Sequence, residues 1–180
     1  MRFTRFLLVL LIVVVGVWLG RYLYFRPNYI TGEQAPLFEA TLRDGTLFRL
    51  ADHRGKYVLL DFWGSWCPPC RQQNPQLVRF YERYGHASFL DADGFIIVSI
   101  GIERDSMRWV RAIEQDGLSW PYHILDRATS LRFFDSPLAK LYGVRQTPTT
   151  FLINPKGYIM GLNLPISEME RLLDRKRLPQ

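Results

Sequence analysis

The chain has 180 residues, nearly half of them apolar and 14% aromatic, with a formal net charge of +6. That length and composition suit one folded domain with a sizeable core and exclude a disordered tail. Arg2, Arg5, Arg21 and Arg26 supply most of the excess charge, leaving 19 basic against 17 acidic residues beyond. No basic stripe interleaved with aromatics stands out there, which argues against nucleic-acid binding.

The N-terminus reads "MRFTRFLLVLLIVVVGVWLGRYLYFRP". The uncharged run Phe6 to Gly20 is 15 residues long, about 22 Å as a helix and short of a roughly 30 Å hydrocarbon core. Continuation to Phe25 makes 20 residues. Arg21 can then snorkel to the headgroups, with Trp18, Tyr22 and Tyr24 suited to the interface. A cleaved leader needs small residues after the apolar run, whereas Trp18 would sit three residues before a cut at Gly20. No cysteine is present to carry a lipid, and a helix with no polar face is unusual in a soluble core. Residues 1–27 are therefore expected to form a cytoplasmic tip and a transmembrane signal anchor. A weak positive-inside bias points the following domain outward. Residues 28–36, polar and turn-rich, are expected as a linker, and residues 37–180 as the domain.

Leu37–Leu42 and Thr46–Leu50 flank "RDG" in a hairpin pattern. The stretch "YVLLDFW", Tyr57–Trp63, reads as a parallel strand buried on both faces. A helix is expected from Pro68 to about Tyr84, with Leu77, Phe80, Tyr81 and Tyr84 at three- and four-residue spacing. "GFIIVSIG", Gly94–Gly101, reads as a second buried strand. A helix over about Asp105–Asp116 stops at Gly117; a strand around Tyr122–Leu125 and a helix near Ser136–Tyr142 follow. "TTFLIN" and "GYIMGLN" form a hairpin, and Ser167 with Glu170 suggests a capping box for a last helix carrying Met169, Leu172 and Leu173. The alternation implies an α/β architecture with an antiparallel edge.

The two cysteines, Cys67 and Cys70, lie in "DFWGSWCPPCR". A disulfide across so short a loop removes only about 2 kcal/mol of unfolded-state entropy, so it makes a poor staple. Zinc would need more ligands than His53, His86 and His123 offer by spacing, although soft thiolates can hold copper. Haem attachment needs histidine after Cys70, and Arg71 stands there. The reactive reading explains the placement after a buried strand and at a helix start. Cys67 as N-cap meets the positive end of the helix, which stabilises thiolate. Pro68 and Pro69 carry no N–H, so the nearest backbone donor to the Cys67 sulfur is the Cys70 N–H. Cys67 is expected as the exposed attacking thiolate, with Cys70 the resolving thiol one turn inward.

"FWGSWCPPCR" together with "TPTTFLINPKG" resembles the thioredoxin fold, and within it the membrane-anchored TlpA/ResA-like thiol-disulfide oxidoreductases of bacteria, over about Gly32 to Leu173. The resemblance implies a thioredoxin-like fold: a central mixed sheet flanked by helices, with an N-terminal hairpin, an internal strand-helix insertion and one preceding transmembrane helix. It implies that Trp63 and Trp66 flank the site and that Pro148 is a cis-proline facing the disulfide. Thr147 would offer backbone to a substrate peptide, with Pro68 and Pro69 also on the substrate side. No cofactor is implied beyond the Cys67–Cys70 disulfide. The implied partners are extracytoplasmic protein disulfides such as apocytochrome c, and a membrane electron donor of the DsbD/CcdA type, at the outer face of the bacterial cytoplasmic membrane.

Asp61 is charged inside an apolar strand, so burial should raise its pKa and fit it to accept the Cys70 proton. It matches the buried acid of thioredoxins. Many TlpA-like members instead carry an acid two residues before the proline that follows the site, where this chain has Gln73. Arg71 is expected to be a solvated side chain, the three histidines surface or loop residues, and Trp109 and Trp120 packing residues. Two other readings stand beside the oxidoreductase: a copper-binding module using the same thiolates, and an anchored interaction domain.

Overall fold

The computed structural model describes residues 2–25, 29–129 and 133–179. Arg26 and the expected boundary at residues 27 and 28 lie outside them. Helix α1, Arg2–Phe25, is long and apolar enough to cross a membrane, with its most apolar window at Arg5–Tyr22. Its described side chains are exposed along that whole window. The ring of Trp18 stacks on Tyr22 at 5.8 Å between centroids.

The domain opens with an antiparallel hairpin, β1 (Glu39–Thr41) with β2 (Leu47–Arg49), as the turn signal predicts. Strand β3, Tyr57–Trp63, is buried along its full length. It pairs in parallel with β4, Phe95–Glu103, and antiparallel with β6, Thr149–Ile153. β5, Tyr122–Arg127, and β7, Ile159–Leu162, complete a five-stranded sheet of order β5-β4-β3-β6-β7. Helix α2, Pro68–Tyr84, and α3, Ser106–Gln115, match their sequence expectations closely, as does α4, Pro137–Tyr142. The chain has the mixed α/β thioredoxin-like fold.

Strand alternation divides the core into two layers. Val58, Leu60 and Phe62 of β3 pack on one face with the hairpin and α4, whereas Tyr57, Leu59 and Trp63 pack on the other with α2, α3 and both cysteines. Gly101 keeps the second layer close, because a Cβ there would lie 2.2 Å from Nε1 of the Trp109 indole. Trp109 and Trp120 are packing residues, 3% and 1% exposed.

Three local expectations change in the folded chain, and α4 takes its cap from outside its own helix. The last helix, α5 (Ile166–Asp174), starts after Pro165 with no side-chain cap, so Ser167 lies within its first turn and forms no capping box. At α4 the Ser136 hydroxyl gives no local cap. The carboxylate of Asp126 on β5 instead accepts from the Leu138 and Ala139 N–H groups and from Ser136 Oγ. The stretch expected as linker is tied to the sheet: the Gly32 N–H donates to Ile159 O, Ile159 to Glu33 O, and Ala35 to Gly157 O. Two histidines leave the surface. His123 is 4% exposed on β5 and its Nε2 lies 3.2 Å from Leu118 O. His53 is half-buried between the rings of Phe48 and Tyr122. The hairpin and β5 close over the His53 ring, whereas the His123 ring stacks on Trp120 in the other layer at 5.8 Å. His86 is exposed.

Candidate active site

β3 ends at Trp63, and Gly64 to Trp66 carry the chain into α2, whose N-cap is Cys67. Gly64 passes under the Trp66 indole, which a Cβ there would strike at 2.6 Å. Trp66 Nε1 donates to Ile102 O, pinning this 40%-exposed ring beside the turn. The Ser65 N–H donates to the buried Glu103 carboxylate at 2.6 Å. The loop before Cys67 is therefore held from β4 at two points.

Cys67 and Cys70 are joined as a disulfide, with 5.3 Å between Cα atoms. The Cys70 N–H donates to Cys67 Sγ at 3.2 Å, the contact expected once Pro68 and Pro69 withdraw their N–H groups. Pro68 and Pro69 are both exposed. Cys67, expected as the exposed sulfur, is 3% exposed against 1% for Cys70. Its side chain turns into the α2 layer to reach its partner, so the helix-start position and the N–H contact separate the two cysteines more than exposure does. Trp63, expected at the substrate surface, is fully buried. As an odd-numbered residue of β3 it points into the same layer and supports the cysteine pair from within.

Asp61 also projects into this layer and is 1% exposed. Desolvation pushes its carboxyl up to about 7, opposed only in part by the Ser99 hydroxyl, which donates to Oδ2 at 3.3 Å. Trp120 Nε1 in turn donates to Ser99 Oγ at 3.0 Å. Ser99 stands directly across the parallel ladder from Asp61. Sequence reading missed it, although both are the fifth residue of their apolar strands, a signal that the register of β3 and β4 makes legible.

Thr147-Pro148 is a cis peptide bond. Pro148 precedes Thr149, the partner of Phe62, which brings it to the end of the sheet where β3 runs into the cysteines. Thr147 is half-buried beside it. A groove of about 640 Å³ opens at this end between α2, the Pro148 loop and the turn into α5, lined by Gln73, Gln76, Gln146, Pro148 and Thr150 among others. Gln73 Oε1 is buried there without a hydrogen-bond partner among the described residues. None of the described side chains that line the groove is ionisable.

Arg71 is not a solvated side chain. Its Nε and a terminal nitrogen donate to the two oxygens of Asp116 at 2.5 and 2.7 Å, and the buried Asn74 amide donates to the same carboxylate at 2.6 Å. Asp116, the C-cap of α3, thus clamps the first turns of α2. Among the described residues no group of three or more His, Cys, Asp and Glu side chains converges to hold a metal.

Residues 31–161 match the AhpC/TSA family. The thiol-disulfide oxidoreductase ResA of Halalkalibacterium halodurans is 31% identical over 158 residues, covering 85% of this chain and 82% of that protein. The ResA of Geobacillus thermodenitrificans is 32% identical over 128 residues, which is 71% of this chain and 66%, just under two thirds, of the relative's length. Among solved structures, the thioredoxin domain of a thiol-disulfide oxidoreductase from Bacteroides vulgatus superposes with a TM-score of 0.67 at 27% identity, covering 81% of this chain and 99% of that one. A thiol-disulfide oxidoreductase from Bacteroides fragilis gives 0.66 at 30% identity, covering 78% and 100%. A bridged Cys-Pro-Pro-Cys at a helix start, set against a buried acid on a thioredoxin-like sheet, agrees with these likenesses: the chain belongs to the AhpC/TSA family, among its thiol-disulfide oxidoreductases.

Proposed function

We propose that this oxidoreductase is a membrane-anchored reductase of disulfides in extracytoplasmic proteins, apocytochrome c being one such substrate. The observation that carries this reading is the Cys67–Cys70 pair itself: a bridge at the N-terminus of α2, with the Cys70 N–H aimed at Cys67 Sγ and the buried Asp61 in the same layer. In the reduced enzyme the Cys67 thiolate attacks one sulfur of a substrate disulfide. A Cys67–substrate disulfide forms, and the other substrate sulfur leaves as thiolate. Cys70 then loses its proton to the Asp61 carboxylate, directly or through one water, and attacks Cys67 Sγ. The second substrate thiolate leaves and the Cys67–Cys70 bridge re-forms, two electrons having passed to the substrate.

Asp61 suits the proton step because a carboxyl near 7 is present in both protonation states at neutral pH. Gln73 holds no charge, so the relay rests on Asp61. Trp66, Pro68, Pro69, Thr147 and Pro148 border the substrate, and the amide-lined groove beside Pro148 receives the chain that flanks the target cysteine. A membrane electron donor of the DsbD/CcdA type restores the dithiol. The domain lies on the extracytoplasmic side of the bacterial cytoplasmic membrane, held by α1.

Substitution Cys70→Ser removes the resolving thiol. In cells that variant is expected to accumulate mixed disulfides on Cys67 that dissolve in dithiothreitol, with extracytoplasmic proteins as the captured species. Capture of nothing, or capture that persists in the Cys67→Ala, Cys70→Ser double variant, rejects the mechanism.

A further inference from the structure

The distance between the membrane helix and the folded domain is set by very few residues. α1 ends at Phe25. Tyr29 already belongs to the domain: it packs against the core layer that holds α4, and its ring lies 6.1 Å from that of Tyr142. Tyr142 is fully buried, donates through its hydroxyl to Pro36 O at 2.7 Å, and packs on Phe62 and Phe151 at 5.5 and 5.1 Å. The next residues cannot peel away cheaply, since Gly32, Glu33 and Ala35 are hydrogen-bonded along the edge of β7 and its turn. Four peptide steps therefore join Phe25 to Tyr29, a reach of about 14 Å when fully extended, whatever conformation they take.

This reach places the surface around Tyr29 at the headgroups. That surface carries Ile30, 53% exposed, and the outer side of α4, where Lys140 and Leu141 point away from the core while Leu138, Ala139 and Tyr142 point in. Leu141 beside the Lys140 cation, next to a spanning segment, matches the layered chemistry of an anionic bilayer surface, and the carboxylate beside Ile30, that of Glu33, accepts from the Ile30 N–H at 3.0 Å. The attachment also has a definite place on the sheet. Tyr142 packs beneath Phe62, the penultimate residue of the strand that runs into Cys67, so the tether meets the domain at the dithiol end, on the opposite face of the sheet.

We infer that the domain is seated on the bilayer through Ile30 and the Lys140–Leu141 side of α4, with anionic phospholipid headgroups as the partner. The inference rests on the anchor reading above. Its functional consequence is that redox partners meet the dithiol close to the membrane surface.

The test uses the full chain with Cys67→Ser and Cys70→Ser, carrying a bimane label at Leu141→Cys or, as a second position, Ile30→Cys. The control label is Leu90→Cys, in the loop that leads to the start of β4, the opposite end of the sheet. The chains are placed in vesicles of phosphatidylcholine and phosphatidylglycerol containing a headgroup nitroxide lipid. Quenching is expected to be several-fold stronger at Leu141 and Ile30 than at Leu90. It should fall to the Leu90 level when about 12 Gly/Ser residues, with a root-mean-square span of roughly 20 Å, are inserted between Asn28 and Tyr29 together with Lys140→Glu. Equal quenching at all three positions, or none at Leu141 and Ile30, overturns the seating while leaving the anchor intact. A chain that fails to float with the vesicles at alkaline pH overturns the anchor reading itself.

Discussion

In the proposed mechanism Asp61 sets how the resolving step depends on pH. Burial holds its carboxyl near 7, so the ionised form proposed to accept the Cys70 proton grows as pH rises through neutrality. Asp61→Asn should slow release of a trapped mixed disulfide by about 100-fold at pH 8 and remove the rise of that rate around pH 7. Stopped-flow release from a labelled peptide disulfide measures both. The same carboxyl makes an opposite prediction for stability. Its pKa is raised on folding, so the stability that comes from its protonated form is fully present below the unfolded carboxylate range and is lost as pH climbs through about 7. Asp61→Asn should then be more stable than the native chain at pH 8, by up to about 4 kcal/mol, and close to it at pH 4. Urea unfolding of the oxidised chain in detergent at the two pH values checks this. His123 works the other way: burial lowers its ring to about 4, so the stability of the neutral ring is present above the unfolded value near 6.5 and is lost as pH falls through 4.

α2 must hold two cysteines at its first turn although Pro68 and Pro69 contribute no N–H groups and Pro75 interrupts its ladder. The clamp from α3 compensates. Asp116 accepts two hydrogen bonds from Arg71 and one from Asn74, in a site where the Asp116 side chain is 12% exposed. Asp116→Ala leaves the buried Asn74 amide unpaired and the guanidinium without its fork partner. The expected loss is about 2–3 kcal/mol, read as a lower urea midpoint with an unchanged slope. A double-mutant cycle with Arg71→Ala should return a coupling of about 1–2 kcal/mol. A coupling near zero would mean that the pair is a solvated contact.

On the scale of the whole molecule, α1 is separate from the two-layer core: its described side chains are exposed along the window in which a soluble helix would bury a face. Ile12→Arg together with Val15→Arg should move the chain to the carbonate-soluble fraction, since each charge at mid-membrane costs about 3 kcal/mol. Retention in the membrane pellet would show that the domain binds the bilayer without a spanning helix. Within the core, the sheet order β5-β4-β3-β6-β7 puts the strand bearing Asp61 at the centre, where no edge admits water to it. That position is the physical source of its raised pKa.

Several features were legible in the residues alone because they are local. The bounds of β3 and α2 follow from an apolar run and its helical successor, and the Cys70 contact to Cys67 Sγ from two missing N–H groups within one turn. The burial of Asp61 follows from its neighbours in "VLLDFW". Other features required the fold because their partners are far apart in sequence. Arg71 meets Asp116 across 45 positions, and Tyr29 finds Tyr142 across most of the domain. Gly32 to Ala35 read as a linker because their pairing lies on a strand edge made more than 120 residues later. Trp63 and His123 look the same in sequence whether they point inward or outward; strand parity and the packing of neighbouring layers decide it. The sequence by itself determined the Cys67–Cys70 pair and its place between a buried strand and the start of a helix. Tertiary structure decided how that pair is clamped and shielded, because hydrophobic burial and long-range pairing act between residues that composition and spacing cannot bring together.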